Sequence, residues 1–251
     1  MLRLALIGVI GGFFSGLFGV GGGIILVPLL VLMLGYGQRL ASGTSLAAIL
    51  PTAIAGTITY ASSGSIDWIA GACLGGGAVV GSLLGTWMLH RIRQRLLRWM
   101  FIVFLLAVAV RMFFYVPDRD IDLQIDPWIA LALVGIGVVV GILSGLLGVG
   151  GGVVVVPTLM ILFGVSDLIA KGTSLLMMIP TTLVGTVANA RRGHVDLRGA
   201  AIVGVLAVVA AVGGSLLAVV LPPLLGSILF ALLLVYSALQ LAWNALRSRG
   251  E

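Results

Sequence analysis

The sequence predicts an all-α, polytopic membrane protein made of two inverted repeats, each a glycine-broken helical hairpin plus three transmembrane helices. Three observations predict it: an apolar composition, apolar runs of membrane-crossing length, and an internal copy of the first half. Of 251 residues, 61% are hydrophobic and 9% charged, with a mean hydropathy of +1.27. A soluble domain carries about 25% charged residues. The deficit excludes an ordinary cytosolic enzyme, a disordered regulator and a nucleic-acid module. The net charge of +6 comes from basic residues set between apolar runs, which is the pattern of membrane-protein loops. One cysteine, Cys73, excludes a disulfide framework and a cysteine metal site.

Apolar runs lie near 4–34, 41–61, 68–89, 97–116, 128–163, 168–190, 199–221 and 224–246. A crossing helix needs about 20 such residues. Backbone groups in hydrocarbon must pair internally, so the runs are expected to be helices, and they lack the short alternating segments of a β-barrel. Runs 4–34 and 128–163 are too long for one crossing. Each contains a glycine cluster, Gly19-Val20-Gly21-Gly22-Gly23 and Gly148-Val149-Gly150-Gly151-Gly152, and each is expected to form two helical arms joined by a bend. The N-terminal run is not a cleaved signal peptide on this reading, because no small-residue cleavage site follows it and it has an internal copy.

Residues 12–67 align without a gap on 141–196, with 25 of 56 positions identical. The matches include Ser15/Ser144, Pro28/Pro157, Gly-Thr-Ser at 43–45 and 172–174, and Pro-Thr at 51–52 and 180–181. Likeness resumes at Gly81-Ser82-Leu83-Leu84 and Gly214-Ser215-Leu216-Leu217, which implies a four-residue slip. The chain divides into an N-terminal repeat (1–116), an external polar linker (117–126) and a C-terminal repeat (127–251), together one transmembrane domain.

Charge orients the halves. If each long run crosses once, giving four helices per half and eight spans, the loops carry seven and six Lys or Arg on the two faces. If each long run is a hairpin, one face collects eleven and the other only Arg119 and Lys171. The positive-inside rule selects the second arrangement. Both termini are then cytoplasmic, and the acidic linker is outside.

Inverted hairpins bring helix N-termini from both faces to one midplane site. Each N-terminus carries about half a positive charge and free N–H groups, a binding site for an anion. The expected ligands are the backbone of Gly19, Gly21, Gly22, Gly23, Gly148, Gly150, Gly151 and Gly152, with the hydroxyls of Thr44, Ser45, Thr52, Thr173, Ser174 and Thr181. Every feature also has a structural explanation: glycine for close helix packing, hydroxyls bonded to their own helix, Gly-Thr-Ser as an N-cap. Lys171, opposite Ser42 in the other half, reads as a lysine snorkeling to the interface. Asp67 and Asp196 read as helix N-caps, and the five tryptophans as interface anchors. The spans hold no Ser-His, His-rich or paired-Asp arrangement, so no enzyme activity, metal or cofactor is expected. A non-transporting membrane scaffold would not require paired bends and hydroxyls.

The paired G-x-G-G-G clusters at 19–23 and 148–152, each followed by Val-Pro, Gly-Thr-Ser and Pro-Thr, resemble the sulfite exporter TauE/SafE family over nearly the whole chain. The resemblance implies a cell-membrane (inner-membrane) transporter in a prokaryote. Its partners would be the lipid bilayer and a small inorganic or organosulfonate anion such as sulfite. An anion channel of the same architecture is the alternative within transport. Cys73 has no counterpart in the second half, so the cysteine chemistry of thiosulfate-importing relatives is not expected.

Overall fold

The computed structural model describes residues 1–88, 94–113 and 125–247. They form α1 (Leu2–Phe18), α2 (Gly23–Leu34), α3 (Gln38–Ser62), α4 (Trp68–Met88), α5 (Gln94–Phe113), α6 (Pro127–Leu147), α7 (Gly152–Phe163), α8 (Asp167–Ala190), α9 (Leu197–Val220) and α10 (Pro223–Arg247). No strand occurs among the described residues. Among the described residues every apolar run is helical outside the two glycine clusters, and each cluster separates two helices. Most of the 117–126 linker and the arginines of 90–93 lie outside the described residues.

The bends are built on positive φ. Gly19 (φ 67°) ends α1, and its N–H donates to the Ser15 carbonyl at 2.9 Å. Gly21 and Gly22 both have φ 71°. Gly148, Gly150 and Gly151 repeat the pattern at 70°, 84° and 86°. An L side chain costs roughly 1–2 kcal/mol in this region, and no described residue other than glycine adopts it. The first long run doubles back on itself. Arg3 Nη1, in the first turn of α1, donates to the Met33 carbonyl at the end of α2 at 2.9 Å. A Cβ on Gly22 would lie 2.6 Å from the Gly11 carbonyl oxygen, and one on Gly151 2.6 Å from Val140, the equivalent residue.

α3 and α8 occupy the centre. Their mean hydropathies, 1.3 and 1.4, are about half the 2.6 of α6 and α9, as suits helices that meet protein rather than lipid. They run antiparallel. Thr44 near the start of α3 accepts the N–H of Asp196 beyond the end of α8, and Thr173 near the start of α8 accepts that of Asp67 beyond the end of α3, each at 3.0 Å. Around this pair, α1 packs on α9 and α4 on α6, with glycines at four-residue spacing bringing the backbones together. Gly8, Gly12 and Gly16 face Val203, Ala207 and Ala211, while Gly77, Gly81 and Gly85 face Val134, Val138 and Ile142. Lipid tails are as apolar as leucine, so helix contact here depends on close packing. α5 and α10 pair with each other, and Phe230 of α10 stacks on Phe18 at the end of α1 with ring centres 5.4 Å apart.

These contacts correct the four-residue slip. Gly12 meets Ala207 and Gly141 meets Ala78; Gly214 meets the Phe13 carbonyl and Gly85 the Ile142 carbonyl. Each pair of contacts is related by a constant offset of 129, so the equivalent of Gly214 is Gly85. The Gly-Ser-Leu-Leu identity is a coincidence of small-residue patterning one helical turn out of register.

Among the described residues, six helices are long and apolar enough to cross a membrane, and α1, α2, α7 and the described apolar stretch of α5 are shorter apolar segments. Trp68, Trp99, Trp128 and Trp243 are exposed, as expected of interface anchors. The chain is a multi-pass membrane protein. Gly12→Val should disrupt the α1–α9 contact, because the new side chain meets the Ala207 backbone; a loss of about 1–3 kcal/mol is expected for such overpacking. Gly76→Ala, with nothing within 4 Å, should be neutral. Thermal unfolding of both variants in detergent measures the difference.

Candidate functional site

The two bends meet at the middle of α3 and α8. A Cβ on Gly23 would lie 2.5 Å from the Val149 carbonyl oxygen, and one on Gly152 2.7 Å from that of Gly19. The Met178 side chain closes the junction, since it borders both Gly21 and Gly150, and Ile49, its equivalent in α3, borders both glycines as well. Each cluster therefore touches the other and shares one apolar plug.

Four helix starts are capped by side chains. Asp67 Oδ1 accepts the Ala70 N–H at 2.9 Å, and Asp126 Oδ1 that of Ile129 at 2.7 Å. Ser166 caps α8, and Asp196 Oδ1 accepts from Arg198 N. The aspartates at 67 and 196 thus cap helices as their positions predict. α2 and α7 differ. Their N-caps are Gly22 and Gly151, which have no side chain to offer. The first N–H groups of a helix lack intrahelical acceptors, so the amides opening α2 and α7 are left to other partners at the junction.

The predicted hydroxyls divide into three groups. Thr44 and Thr173 are buried and tie the halves together through the Asp196 and Asp67 amides. Thr52 donates to the Ile49 carbonyl at 2.7 Å and Thr181 to Met177 at 2.9 Å, so their protons are already engaged within the proline-bearing helices. Ser45 and Ser174 are fully buried and their hydroxyls have no partner. Ser174 Oγ lies 2.9 Å from where a Cβ on Gly152 would stand. Ser45 holds the equivalent place in α3. Ser15, one turn before bend one, also lacks a partner, as do the matched pair Thr57 and Thr186. A buried hydroxyl left without a partner costs about 1–3 kcal/mol.

Lys171 departs from the expectation of a snorkeling side chain. It is 4% exposed and forms an ion pair with Asp167 Oδ2 at 2.9 Å, one turn earlier on α8. Its backbone lies against Gly19, while Ser42 lies against Gly148 in the other half. Three further residues carried no motif. Tyr60, fully buried, donates to the Gly16 carbonyl at 2.8 Å and holds α3 to α1 just before the bend. Met178 is one methionine among eight. Tyr36 donates to Asp196 Oδ2 at 2.6 Å. A cavity of about 300 Å³ lies away from the bends, between α4 and α8, bordered by Trp68, Gly76, Leu176 and Pro180.

This is the centre of a polytopic membrane protein in which two glycine hairpins converge from paired halves. The sulfite exporter TauE/SafE family model matches residues 1–112 and 133–251, and the chain belongs to that family. It is 29% identical over 216 residues to the "Probable membrane transporter protein YunE" of Bacillus subtilis, covering 77% of this chain and 79% of the relative. It is 32% identical over 194 residues to a probable membrane transporter protein of Methanocaldococcus jannaschii, covering 72% and 69%. A second Bacillus subtilis relative, YdhB, is 28% identical over 200 residues, covering 78% and 80%. No solved structure matches.

Tyr36 and Asp196 lie outside the spanning segments, and their contact has a pH signature. The hydrogen bond from Tyr36, then the Gly199 amide, holds the Asp196 carboxyl below its usual value of 3.8. The bond to Asp196, with burial and the carboxylate charge, pushes Tyr36 up to about 12 from 10.0. Stability from the depressed carboxyl is present above 3.8 and lost as pH falls below it; stability from the raised tyrosine is present below 10 and lost towards 12. Tyr36→Phe should be less stable than the unmodified protein near neutral pH, should lose less stability as pH falls below 3.8, and should lack the alkaline step. Melting temperature followed from pH 3 to 12 checks both.

Proposed function

We propose that the chain is a secondary transporter that exports a small sulfur-containing anion, such as sulfite or an organosulfonate, across the cell membrane by alternating access at the bend junction. The supporting observation is the pairing of two uncapped helix starts at Gly22 and Gly151 with the unpartnered hydroxyls of Ser45 and Ser174. Two buried helix starts without side-chain caps and two unpartnered hydroxyls belong to the elements that meet at the bends. Such a place favours negative charge without a buried cation. The sulfur chemistry of the proposed substrate comes from the family, that of the sulfite exporters TauE/SafE.

The orientation that fits the charge distribution puts the Arg3–Met33 end, both termini and the Tyr36–Asp196 contact in the cytoplasm. Inverted halves then present the same hairpin to each side, the construction that alternating access uses. The contact between the bends and the Met178 plug favour a gated transporter over an open pore. At 100 mV the membrane potential supplies about 4.6 kcal/mol for a departing dianion, twice the roughly 2.3 per charge. That suffices to drive export without a coupling ion.

Ser45→Ala and Ser174→Ala separate this reading from a purely structural one. Each removes an unsatisfied hydroxyl, so melting temperature should hold or rise. Each also removes an anion donor worth about 1.5 kcal/mol, so sulfite affinity in proteoliposomes should fall about tenfold. Unchanged affinity would remove both serines from the site. A flux panel of sulfite, sulfoacetate, sulfate, thiosulfate and chloride identifies the substrate, and absence of flux for all five would contradict the reading. In a Cys73→Ser background, Ser63→Cys should react with an impermeant thiol reagent from outside and Arg192→Cys should not. Equal labelling would contradict the inverted orientation.

A further inference from the structure

We infer that Lys171 is a second anion station, on the route between the bend junction and the end of the bundle where α8 and α10 begin, and that Asp167 is its resident tethered anion, displaced as the transported anion passes. The inference rests on the transport reading above. A lysine and an aspartate buried to 4% and 2% exposure within a membrane bundle are costly to desolvate, and such groups mark pathways. Their surroundings are cationic beyond the ammonium. Asp167 is the first residue of α8, where the helix dipole favours negative charge. Gly226, in the first turn of α10, closes over the pair, with its Cβ position 3.7 Å from Lys171 Nζ and 4.0 Å from Asp167 Oδ2. A second helix N-terminus therefore faces the same spot. Ser227, next in sequence, is buried with an unpartnered hydroxyl. Two helix starts and an ammonium make an anion site, and a carboxylate of the chain itself fills it.

The station adjoins the first bend. A Cβ on Gly19 would lie 2.6 Å from Lys171 Cα and 2.7 Å from its carbonyl oxygen, so an anion released from the junction on that side meets the Lys171 turn of α8 first. The other half has no copy. Ser42 stands at the equivalent of Lys171 and Gln38 at that of Asp167. The two-fold pattern is broken at this pair, which gives one exit a charge-exchange step that the other lacks. Asp167 has a defined task in it: by returning to Lys171 it ejects the anion, so the station does not become a trap.

The experiment measures sulfite binding and flux in proteoliposomes, with sulfate and methanesulfonate as divalent and monovalent competitors. Asp167→Asn, which removes the tethered competitor, should tighten sulfite binding at least fivefold and slow turnover. Lys171→Arg, which keeps the charge and guards against failure to fold, should retain both properties. Lys171→Ser, which copies Ser42, should reduce the preference for sulfate over methanesulfonate at least fivefold. If the unmodified protein moves sulfite but Asp167→Asn weakens or leaves binding unchanged, the pair is a structural ion pair and the inference fails alone. If the unmodified protein binds none of these anions, the transport reading fails and takes the inference with it.

Discussion

Everything in this fold depends on breaking two helices inside a membrane without leaving their backbones unpaired. A helix start in hydrocarbon has no water to satisfy its first N–H groups. The chain meets this constraint by bending each long run through glycines at positive φ and pressing one bend against the other, Gly23 on Val149 and Gly152 on Gly19. Only glycine permits both the left-handed backbone and the approach. On the proposed reading, the helix starts sheltered by this arrangement are also the anion donors.

The surrounding bundle makes that junction possible. α3 and α8 must run antiparallel past each other for Met178 and Ile49 to border both bends, and the Thr44–Asp196 and Thr173–Asp67 bonds fix that alignment. The glycine ladders of α1 on α9 and α4 on α6 set the depth of each hairpin. Tyr60 adds a polar tie at the Gly16 carbonyl, just before bend one. Two-fold pairing runs through most of these contacts, and it fails where Lys171 has Ser42, Tyr36 has Val165 and Tyr60 has Asn189 as its counterpart. Those departures are where the two sides of the molecule differ chemically.

Much of this was legible in the sequence because the bilayer simplifies the code. Apolar runs gave the helices, and the clusters at 19–23 and 148–152 gave the breaks, since glycine repeated at one spacing in two copies has few uses. Asp67 and Asp196 announced themselves as caps by standing just before an apolar run. What failed did so for physical reasons. Small residues recur every four positions in tightly packed helices, so the Gly-Ser-Leu-Leu match slid by one turn, and only the Gly85–Ile142 and Gly214–Phe13 contacts fix the register. Lys171 read as an interfacial lysine because its partner Asp167 belongs to no repeated motif. Which hydroxyls are engaged and which are free, Thr52 as against Ser45, depends on rotamers and neighbours that linear spacing does not encode.

The claim at the centre is that the converging half-helix starts bind the anion. Selenite replaces the sulfur of sulfite with a strong anomalous scatterer, and crystals grown with it report directly on position. An anomalous peak is expected at the bend junction, within hydrogen-bonding distance of the amides of 21–24 or 150–153 and of a serine hydroxyl at 45 or 174. A peak elsewhere, with both bends empty in a protein that carries selenite across the bilayer, would contradict it.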